Sequence, residues 1–488
     1  MVRRCGDTRI SQGPLRPGGV EVLDFRGLIQ LLEARGELCR IRRPVHPRHE
    51  MPALMAQLDG QRRAYIFENV KGARFPLVGG LLNRWEVYGW ALGTEPGIPF
   101  TASDLARRLE SASAEGIAPR VVTNGPVKAQ RVEGAAIDLR ELPAPTTFEL
   151  DSGAFITGAC GISRNPQTGG LNVGIYRTQI LGRDTLTVSA NESSDLHGFY
   201  AHAARHSGTM PIALAIGVEP ALLMAAVCKL PPEQSELGLA GALQGSAIDL
   251  MKCETSDLLV PAQAEIVIEG QVDCTRQVEN TLGEFVGHYG DDVAPVTQVT
   301  AITCRKDALY YSILPGRNPE HNTLASIAGF AFTRAVELGV RSAVPEARDV
   351  QVFMEPTLGS MIHVAISLDK RDDAEPMNVI ARAFAARIRL AGTEMPVATL
   401  TKRIVVVDPD VDVHQLADVE WAIWTRIAAA GKIRVMPDVP SWSLERCAKP
   451  DRGSVRLAID ATADMEDRER LRRPVIPGAN QIRLADYL

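Results

Sequence analysis

Residues 260–290 read VPAQAEIVIEGQVDCTRQVENTLGEFVGHYG and hold the features on which our fold prediction rests. The β-branched run at 264–268 predicts a buried strand, and Glu269-Gly270 predicts a turn after it. Two carboxylates follow among glycines and apolar residues, Glu279 and Glu284. Acids in such surroundings can lose solvent, which raises a carboxyl pKa toward the range useful for proton transfer. An arbitrary pair of this kind is more often solvated in a loop, so its meaning depends on the rest of the chain.

Length and composition indicate a globular protein of several domains. The 488 residues are enough for two or three domains, and 45% hydrophobic with 23% charged residues is ordinary for a soluble protein. The net charge of −6, dispersed Lys and Arg, and 5% aromatic content indicate neither a nucleic-acid partner nor a membrane surface. Eight cysteines without CxxC spacing favour reduced thiols and a cytoplasmic location. Residues 1–19 lack the apolar core of a signal peptide, and we interpret them as a flexible lead-in.

Three stretches of different pattern predict an α+β multidomain chain. Residues 1–118 alternate helices and strands, beginning with a helix capped by Asp24, and predict an α/β domain. Residues 119–317 hold many short β-like runs and one helix near 235–251, which favours a barrel-like β domain. Residues 318–488 predict a second α/β domain with helices at 324–338, 377–390 and 416–430. From Ala448 onward we expect a surface arm that packs on a partner subunit.

The most apolar window, 210–228, is interrupted by Gly217, Glu219 and Pro220. A continuous membrane helix cannot contain such an interruption without a compensating environment. We predict a buried strand, a turn and a short helix here. His202 and His206 are spaced for one helix face, and a solvated helix is favoured over a metal pair because no third ligand is nearby.

Three polar groupings lie in otherwise apolar, glycine-containing segments: NVGIYR at 172–177, SELGLAG at 235–241, and the glutamate pair of residues 260–290. Asn172 and Glu236 offer hard oxygen ligands that suit Mg²⁺ or Mn²⁺ bridging to a phosphate. An arginine fixes and deprotonates a neighbouring carboxylate, while a second carboxylate can keep its proton. An Arg-Glu-Glu set could therefore divide into one oriented anion and one proton donor.

The segments NVGIYRTQ, SELGLAGALQG, VPAQAEIVIEG, ENTLGEFVGHYG and LPGRNP, in this order, resemble the UbiD family of prenylated-FMN-dependent (de)carboxylases. Weaker similarity extends over nearly the whole chain. The resemblance implies an N-terminal α/β domain, a split β-barrel flavin-binding domain and a C-terminal α/β dimerisation domain, and hence a homodimer. It also implies reversible, non-oxidative decarboxylation of an α,β-unsaturated or (hetero)aromatic acid. A separate FMN prenyltransferase would supply the cofactor.

The resemblance also implies which residues of this chain form the catalytic and cofactor-binding site. Arg177, Glu279 and Glu284 match the catalytic Arg-Glu-Glu set, with Glu284 as the acid and Glu279 as the anion held by the arginine. The implied cofactor-binding residues are Asn172, Gly174, Ile175, Arg177, Val227, Cys228, Glu236 and Lys402, the last as a phosphate contact. Asn172 and Glu236 match two ligands of Mn²⁺ or Mg²⁺, and K⁺ is a further possible ion.

Two departures from the family pattern are visible. The metal-ligand histidine that follows the asparagine is missing, and the aligned residues are Ala190-Asn191-Glu192-Ser193. Asn191, Glu192 or a water could supply the third ligand. The usual EGPxGE is ENTLGE here, so the loop between the acids lacks its Gly-Pro.

Several questions stay open at the level of sequence. His321 and Asn322 could hydrogen-bond a ring NH or hydroxyl of the substrate, or serve packing. The apolar run 224–228 slightly favours an aliphatic unsaturated acid or an unadorned aromatic ring. The alternatives to a decarboxylase are an FMN oxidoreductase of split-barrel type and a degenerate subunit without catalysis.

Overall fold

A computed structural model describes residues 22–478 except 193, 232–233, 355–360, 391–392, 443 and 475. The predicted lead-in, 1–19, therefore lies outside the described residues. The chain divides into two compact units, 1–328 and 329–488. The helices of the first unit are α1 (Phe25–Ala34), α2 (Glu50–Gly60), α3 (Trp85–Ala91), α4 (Ala102–Glu115), α5 (Asp195–His206), α6 (Pro220–Ala225) and α7 (Glu236–Gln244).

The strands of the first unit are β1 (Leu38–Ile41), β2 (Ala64–Phe67), β3 (Leu77–Gly79), β4 (Arg120–Val121), β5 (Gln130–Glu133), β6 (Phe155–Ile156), β7 (Ala159–Arg164), β8 (Leu171–Ile175), β9 (Thr178–Ile180), β10 (Thr185–Val188), β11 (Thr209–Ile216), β12 (Asp249–Lys252), β13 (Leu259–Pro261), β14 (Ile266–Gly283), β15 (Tyr289–Cys304) and β16 (Tyr310–Tyr311). Helix α8 (Pro319–Ala343) begins in this unit and continues into the second.

The N-terminal part of the first unit is built on a small mixed sheet in the order β1-β2-β3-β16. Asp24 caps α1, as predicted, by accepting a hydrogen bond from the Gly27 N–H at 2.6 Å. Strand β16 pairs in parallel with β3, with Tyr310 opposite Leu77. Because β16 follows the central strands in sequence, it ties the N-terminal segment and the central segment into one compact unit.

The central sheet runs in the order β6-β9-β10-β15-β14-β11-β7-β8, with β5 paired to residues 301–304 of β15, and it curls into a half-barrel. The predicted turn at Glu269-Gly270 is wrong, because β14 continues to Gly283 with a bulge at that point. A Cβ on Gly270 would lie 2.7 Å from the Thr297 side chain, so glycine permits the close approach of β15. The Glu269 carboxylate is buried and accepts hydrogen bonds from the Glu254 and Thr255 N–H groups.

Other local predictions are confirmed or corrected. The window 210–228 is a strand, a turn at Gly217 with φ of +68°, and the short helix α6, as expected. The helix predicted over 235–251 ends at Gln244, because Gly245 adopts a left-handed φ of +72° and the chain continues as β12.

The second unit holds α9 (Glu375–Ala385), α10 (Leu416–Arg426), β17 (Asp349–Phe353), β18 (Ile362–Ser367), β19 (Arg387–Leu390), β20 (Thr393–Pro396), β21 (Thr401–Val407), β22 (Ile433–Val439) and β23 (Ser454–Ala461). Its main sheet has the order β17-β18-β21-β23-β22, with parallel pairing of β18, β21 and β23. This alternation of helices and parallel strands confirms the predicted α/β character.

The C-terminal segment departs from the prediction of a surface arm. Residues 454–461 form β23, which lies between β21 and β22 and buries Ala458, Ile459 and Ala461. The apolar residues of this strand belong to the unit's core, which explains why it cannot be a detached arm. Residues 479–488 lie outside the described part of the chain.

Helix α8 is, by length and composition, the one helix among the described residues that could cross a membrane. Its Leu324 and Ile327 are buried in the first unit, and its Val336 and Val340 belong to the core of the second. A core helix passes the same test of length and composition.

Candidate active site

Arg177 lies in the short connection between β8 and β9, on the half-barrel. Its Nη1 donates to the Glu284 carboxylate and to the Gly290 carbonyl oxygen, the latter at 3.2 Å. Its Nη2 lies 3.2 Å from Asp292 Oδ2. The three charged side chains are mostly buried. One guanidinium is therefore shared by two carboxylates and a carbonyl group of the β14–β15 hairpin.

Glu284 follows the last residue of β14, and its N–H donates to the His288 carbonyl oxygen at 2.9 Å. The loop that carries it is closed by Gly287, whose φ is +89° and whose position leaves room for the Arg317 side chain. The structure thus brings together Arg177 and Glu284, which are separated by 107 positions in sequence.

Glu279 does not contact Arg177. It is exposed on β14 opposite Val293, and its side chain makes no hydrogen bond or ion pair with the residues that the structure describes. The carboxylate that accompanies Glu284 on the arginine is Asp292, which the sequence analysis missed. Only the register of β15 against β14 could have identified Asp292, and no local sequence signal gives that register.

His321 lies near Glu284. Its ring packs edge-on against Phe285 at 5.7 Å, and its Nδ1 lies 3.2 Å from the Gly316 carbonyl oxygen. Burial lowers the pKa of His321, and the charge of Glu284 partly opposes this effect. The neutral ring then donates through Nδ1 to Gly316, which leaves Nε2 as an acceptor. The neighbouring Asn322 Oδ1 is buried without a partner among the described residues.

A second polar cluster combines Asn172 on β8 with Glu236, the first residue of α7. The Glu236 carboxylate accepts one hydrogen bond from another described residue, the Val173 N–H at 3.3 Å. Burial raises the pKa of Glu236 to about 7, with a smaller contribution from the charge of Asp195. The Asn172 Nδ2 donates to the Tyr176 hydroxyl at 3.2 Å, so the amide oxygen stays available for a ligand.

Tyr176 is the second residue that the sequence analysis missed. Its ring packs where the Cβ atoms of Gly161 and Gly174 would stand, at 2.6 Å and 2.5 Å respectively. Gly174, a predicted cofactor residue, therefore has a packing role as well. Cys228, another predicted cofactor residue, donates to the Met224 carbonyl oxygen at 3.3 Å, and burial together with the charge of Glu236 raises its pKa to about 12.

The remaining predicted positions are spread over both units. Val227 and Cys228 follow α6, and Ile175 ends β8. Asn191 is exposed, and its carbonyl oxygen accepts hydrogen bonds from the Ser194 N–H and hydroxyl. Lys402 belongs to the second unit, where its Nζ lies 2.5 Å from Glu445 Oε1 and 2.7 Å from Ser454 Oγ. Within the described part of the chain, no group of three His, Cys, Asp or Glu side chains is placed to hold a metal.

Comparison with protein families gives three matches that together cover most of the chain. Residues 29–102 match the N-terminal domain, residues 120–318 the Rift-related domain and residues 329–461 the C-terminal domain of the 3-octaprenyl-4-hydroxybenzoate carboxy-lyase family, UbiD. The chain belongs to the UbiD family. The resemblance stated from the sequence motifs is thereby confirmed.

Individual UbiD relatives match over nearly their whole length. An uncharacterized protein of Archaeoglobus fulgidus is 31% identical over 91% of this chain and 92% of its own. The UbiD-class enzyme HmfF from Pelotomaculum thermopropionicum, solved in complex with FMN, is 34% identical with a TM-score of 0.78, covering 95% of this chain and 100% of that one. An evolved dimeric form of HmfF was solved with prFMN, at 32% identity. The vanillic acid decarboxylase of Sedimentibacter hydroxybenzoicus is 25% identical with a TM-score of 0.73, covering 94% and 97%.

These relatives place the chain in a family of carboxy-lyases with a shared α+β multidomain fold. The predicted fold class is confirmed.

Proposed function

We propose that this chain is a prenylated-FMN-dependent decarboxylase of an α,β-unsaturated or (hetero)aromatic carboxylic acid, reversible in the presence of CO₂. The observation that carries the proposal is the pairing of Arg177 with Glu284 on the half-barrel. Membership in UbiD and the flavin complexes of HmfF support it.

The cluster of Asn172 and Glu236 suits the phosphate end of such a cofactor. Glu236 is a half-buried carboxylate that accepts one hydrogen bond from another described residue, and a divalent cation would compensate its charge. An amide oxygen and a carboxylate are ligands that Mg²⁺ and Mn²⁺ accept. We assign Asn172 and Glu236 to the metal. Asn191, Glu192 or water would complete its shell, and K⁺ would be an accessory ion. Gly174, Ile175, Val227 and Cys228 complete the proposed cofactor contacts in the first unit.

Bound prenylated FMN would supply an electrophilic ring that accepts the electron pair released when the carbon–carboxylate bond breaks. Arg177 would orient the substrate carboxylate, because a guanidinium can form two parallel hydrogen bonds to it. CO₂ leaves, and Glu284 delivers its proton to the carbon that carried the carboxylate. Water then returns a proton to Glu284. In carboxylation the same residues would act in reverse order.

The substrate pocket would lie beside His321 and Asn322. Both offer hydrogen-bond acceptors, His321 through Nε2 near Glu284 and Asn322 through its buried Oδ1. A substrate with a ring N–H or a hydroxyl would satisfy them. The apolar run 224–228 is compatible with an unsaturated or aromatic body of the substrate.

We also propose that the enzyme works in the cytoplasm as a homodimer formed through the third predicted domain, 318–488. An FMN prenyltransferase would supply its cofactor. The described cysteines are all free thiols, which suits a reducing compartment.

The direct test is co-expression with an FMN prenyltransferase, mass spectrometry of the bound flavin, and a CO₂-release screen over unsaturated and heteroaromatic acids. Glu284→Gln should lower turnover by about 100-fold or more without changing flavin content. Glu110→Gln, an exposed glutamate on α4, is the matched control. Full turnover of Glu284→Gln would refute the assignment of Glu284 as the acid.

The same experiment separates the alternative functions. Bound ordinary FMN with reductase activity would favour an oxidoreductase, and a folded protein that never binds flavin would favour a degenerate subunit.

A further inference from the structure

The β14–β15 hairpin separates its acidic side chains onto two faces. Residues directly opposite each other on antiparallel strands share a face, and the face alternates along the strand. Asn280 lies opposite Asp292, and Glu279 lies opposite Val293. Asn280 is only 2% exposed, whereas Val293 is 51% exposed. Asp292 therefore shares the inner face with Asn280, and Glu279 points to the outer face.

Both terminal nitrogens of the Arg177 guanidinium are engaged on that inner face. Nη1 contacts Glu284 and the Gly290 carbonyl oxygen, and Nη2 contacts Asp292. Gly290 and Asp292 are two positions apart on β15 and lie on the same face as Asn280. Arg177 is thus anchored to the hairpin at one carbonyl group and one carboxylate, besides its contact with Glu284.

We infer that Asp292 is the positioning residue and fixed counter-ion of Arg177, the role that the sequence predicted for Glu279. The inference rests on the proposed function, in which Glu284 must carry a proton. Asp292 keeps the guanidinium paired with a carboxylate when Glu284 passes its proton to carbon and takes another from water. Without Asp292, Arg177 is held on the hairpin by Glu284 and the Gly290 carbonyl oxygen alone, so that each proton transfer at Glu284 displaces the guanidinium.

The test compares pH–rate profiles of decarboxylation by the flavin-loaded wild type, Asp292→Asn and Asp291→Asn. Loss of the Asp292 carboxylate should lower kcat about tenfold across the profile, because Arg177 is no longer held in place beside Glu284. Asp291 is the matched control, because it lies next to Asp292 but on the outer face, where it accepts a hydrogen bond from Thr281 Oγ1 at 2.7 Å. Asp291→Asn should leave the profile in place, and Asp292→Glu should restore most of it.

Two results would overturn the inference. One is a profile of Asp292→Asn that superposes on the wild type. The other is a larger loss of kcat in Glu279→Gln than in Asp292→Asn, which would return the counter-ion role to Glu279. Equal thermal unfolding of the variants excludes loss of folding as the cause of any change.

A crystal structure of Asp292→Ala separates this inference from the proposed function. If the wild type releases no CO₂, the proposed function fails, and the position of Arg177 still decides the inference. We expect the guanidinium to leave its wild-type position in Asp292→Ala and to keep it in Asp291→Ala. An unchanged Arg177 in Asp292→Ala would contradict the positioning role.

Discussion

Glu236 and Glu320 are two glutamates in the first turns of helices α7 and α8, the first half-buried and the second fully buried. Burial is the main cause that raises the pKa of each to about 7. Their hydrogen bonding is different. Glu320 accepts from the Gly80 N–H, the Leu82 N–H and the Tyr311 hydroxyl, all at 2.8–2.9 Å, whereas Glu236 accepts one bond from another described residue, the Val173 N–H at 3.3 Å.

The different hydrogen bonding of Glu236 and Glu320 shows that a perturbed pKa does not by itself identify a functional acid. Glu320 is saturated by donors of the first unit, so its burial is already compensated and its role is structural. Glu236 is half-buried and has one donor from another residue of the described chain, and a bound cation would supply the missing compensation of its charge. The two glutamates have the same raised pKa, so it is the number of hydrogen-bond donors around each carboxylate that distinguishes the structural one from the proposed metal ligand.

The largest expected effect is on stability, from Glu320→Ala. The substitution leaves two backbone N–H groups and the Tyr311 hydroxyl without their acceptor, and we expect a loss of about 3–5 kcal/mol in the free energy of unfolding. Urea denaturation measures it. Glu337→Ala, in an exposed ion pair on α8, should cost less than about 1 kcal/mol. A loss below 1 kcal/mol in Glu320→Ala would show that the network is not structural.

Glu236→Ala should produce the opposite pattern. Mn²⁺ affinity, measured by electron paramagnetic resonance, and flavin retention should fall by about 100-fold. The free energy of unfolding of the metal-free protein should change by no more than about 1 kcal/mol, because only one weak hydrogen bond from a neighbour is lost. Undiminished Mn²⁺ binding by this variant would remove Glu236 from the metal site.

The pH dependence of stability should report on Glu320. Its folded pKa lies above the unfolded value of 4.5, so the folded state holds the proton more tightly. The stabilising contribution is present below pH 4.5 and is lost as the pH rises through about 7, by on the order of 3 kcal/mol. Glu320→Gln should flatten this part of the stability curve. The residual slope should come from the other carboxyl groups whose pKa burial raises, namely the neighbouring Asp59, to about 6, and Glu219 and Glu236, to about 7 each.

The smallest expected effect concerns the orientation of Asn172. Tyr176→Phe keeps the ring that packs on Gly161 and Gly174 but removes the hydroxyl that accepts from Asn172 Nδ2. We expect Mn²⁺ affinity to fall about threefold, since one neutral hydrogen bond is lost. Tyr289→Phe, which removes a hydroxyl from the β14–β15 hairpin, should leave Mn²⁺ affinity as in the wild type.

Sequence patterns predicted much of the architecture, because periodicity and turn residues report local structure. The strand and short helix over 210–228 and the α/β character of the last third follow from such patterns. The motifs also indicated Arg177 and Glu284, which the fold brings into contact.

The parts that sequence could not predict depend on pairing between distant segments. The run after Glu269 continues as a strand because Gly270 allows a bulge against β15. The length of that strand places Glu279 on the outer face, and its register places Asp292 on the inner face. The structural role of Glu320 could not be predicted, because the N–H groups of Gly80 and Leu82 that donate to it are some 240 residues away in sequence.

The measurement that tests the account most directly is decarboxylation in D₂O by the protein loaded with prenylated FMN. The account predicts that each CO₂ released leaves one deuterium on the carbon that carried the carboxylate, and that Glu284→Gln abolishes this transfer while keeping the flavin. A loaded wild type that releases no CO₂ from any unsaturated or heteroaromatic acid would contradict the account. So would a Glu284→Gln variant that incorporates deuterium at the wild-type rate.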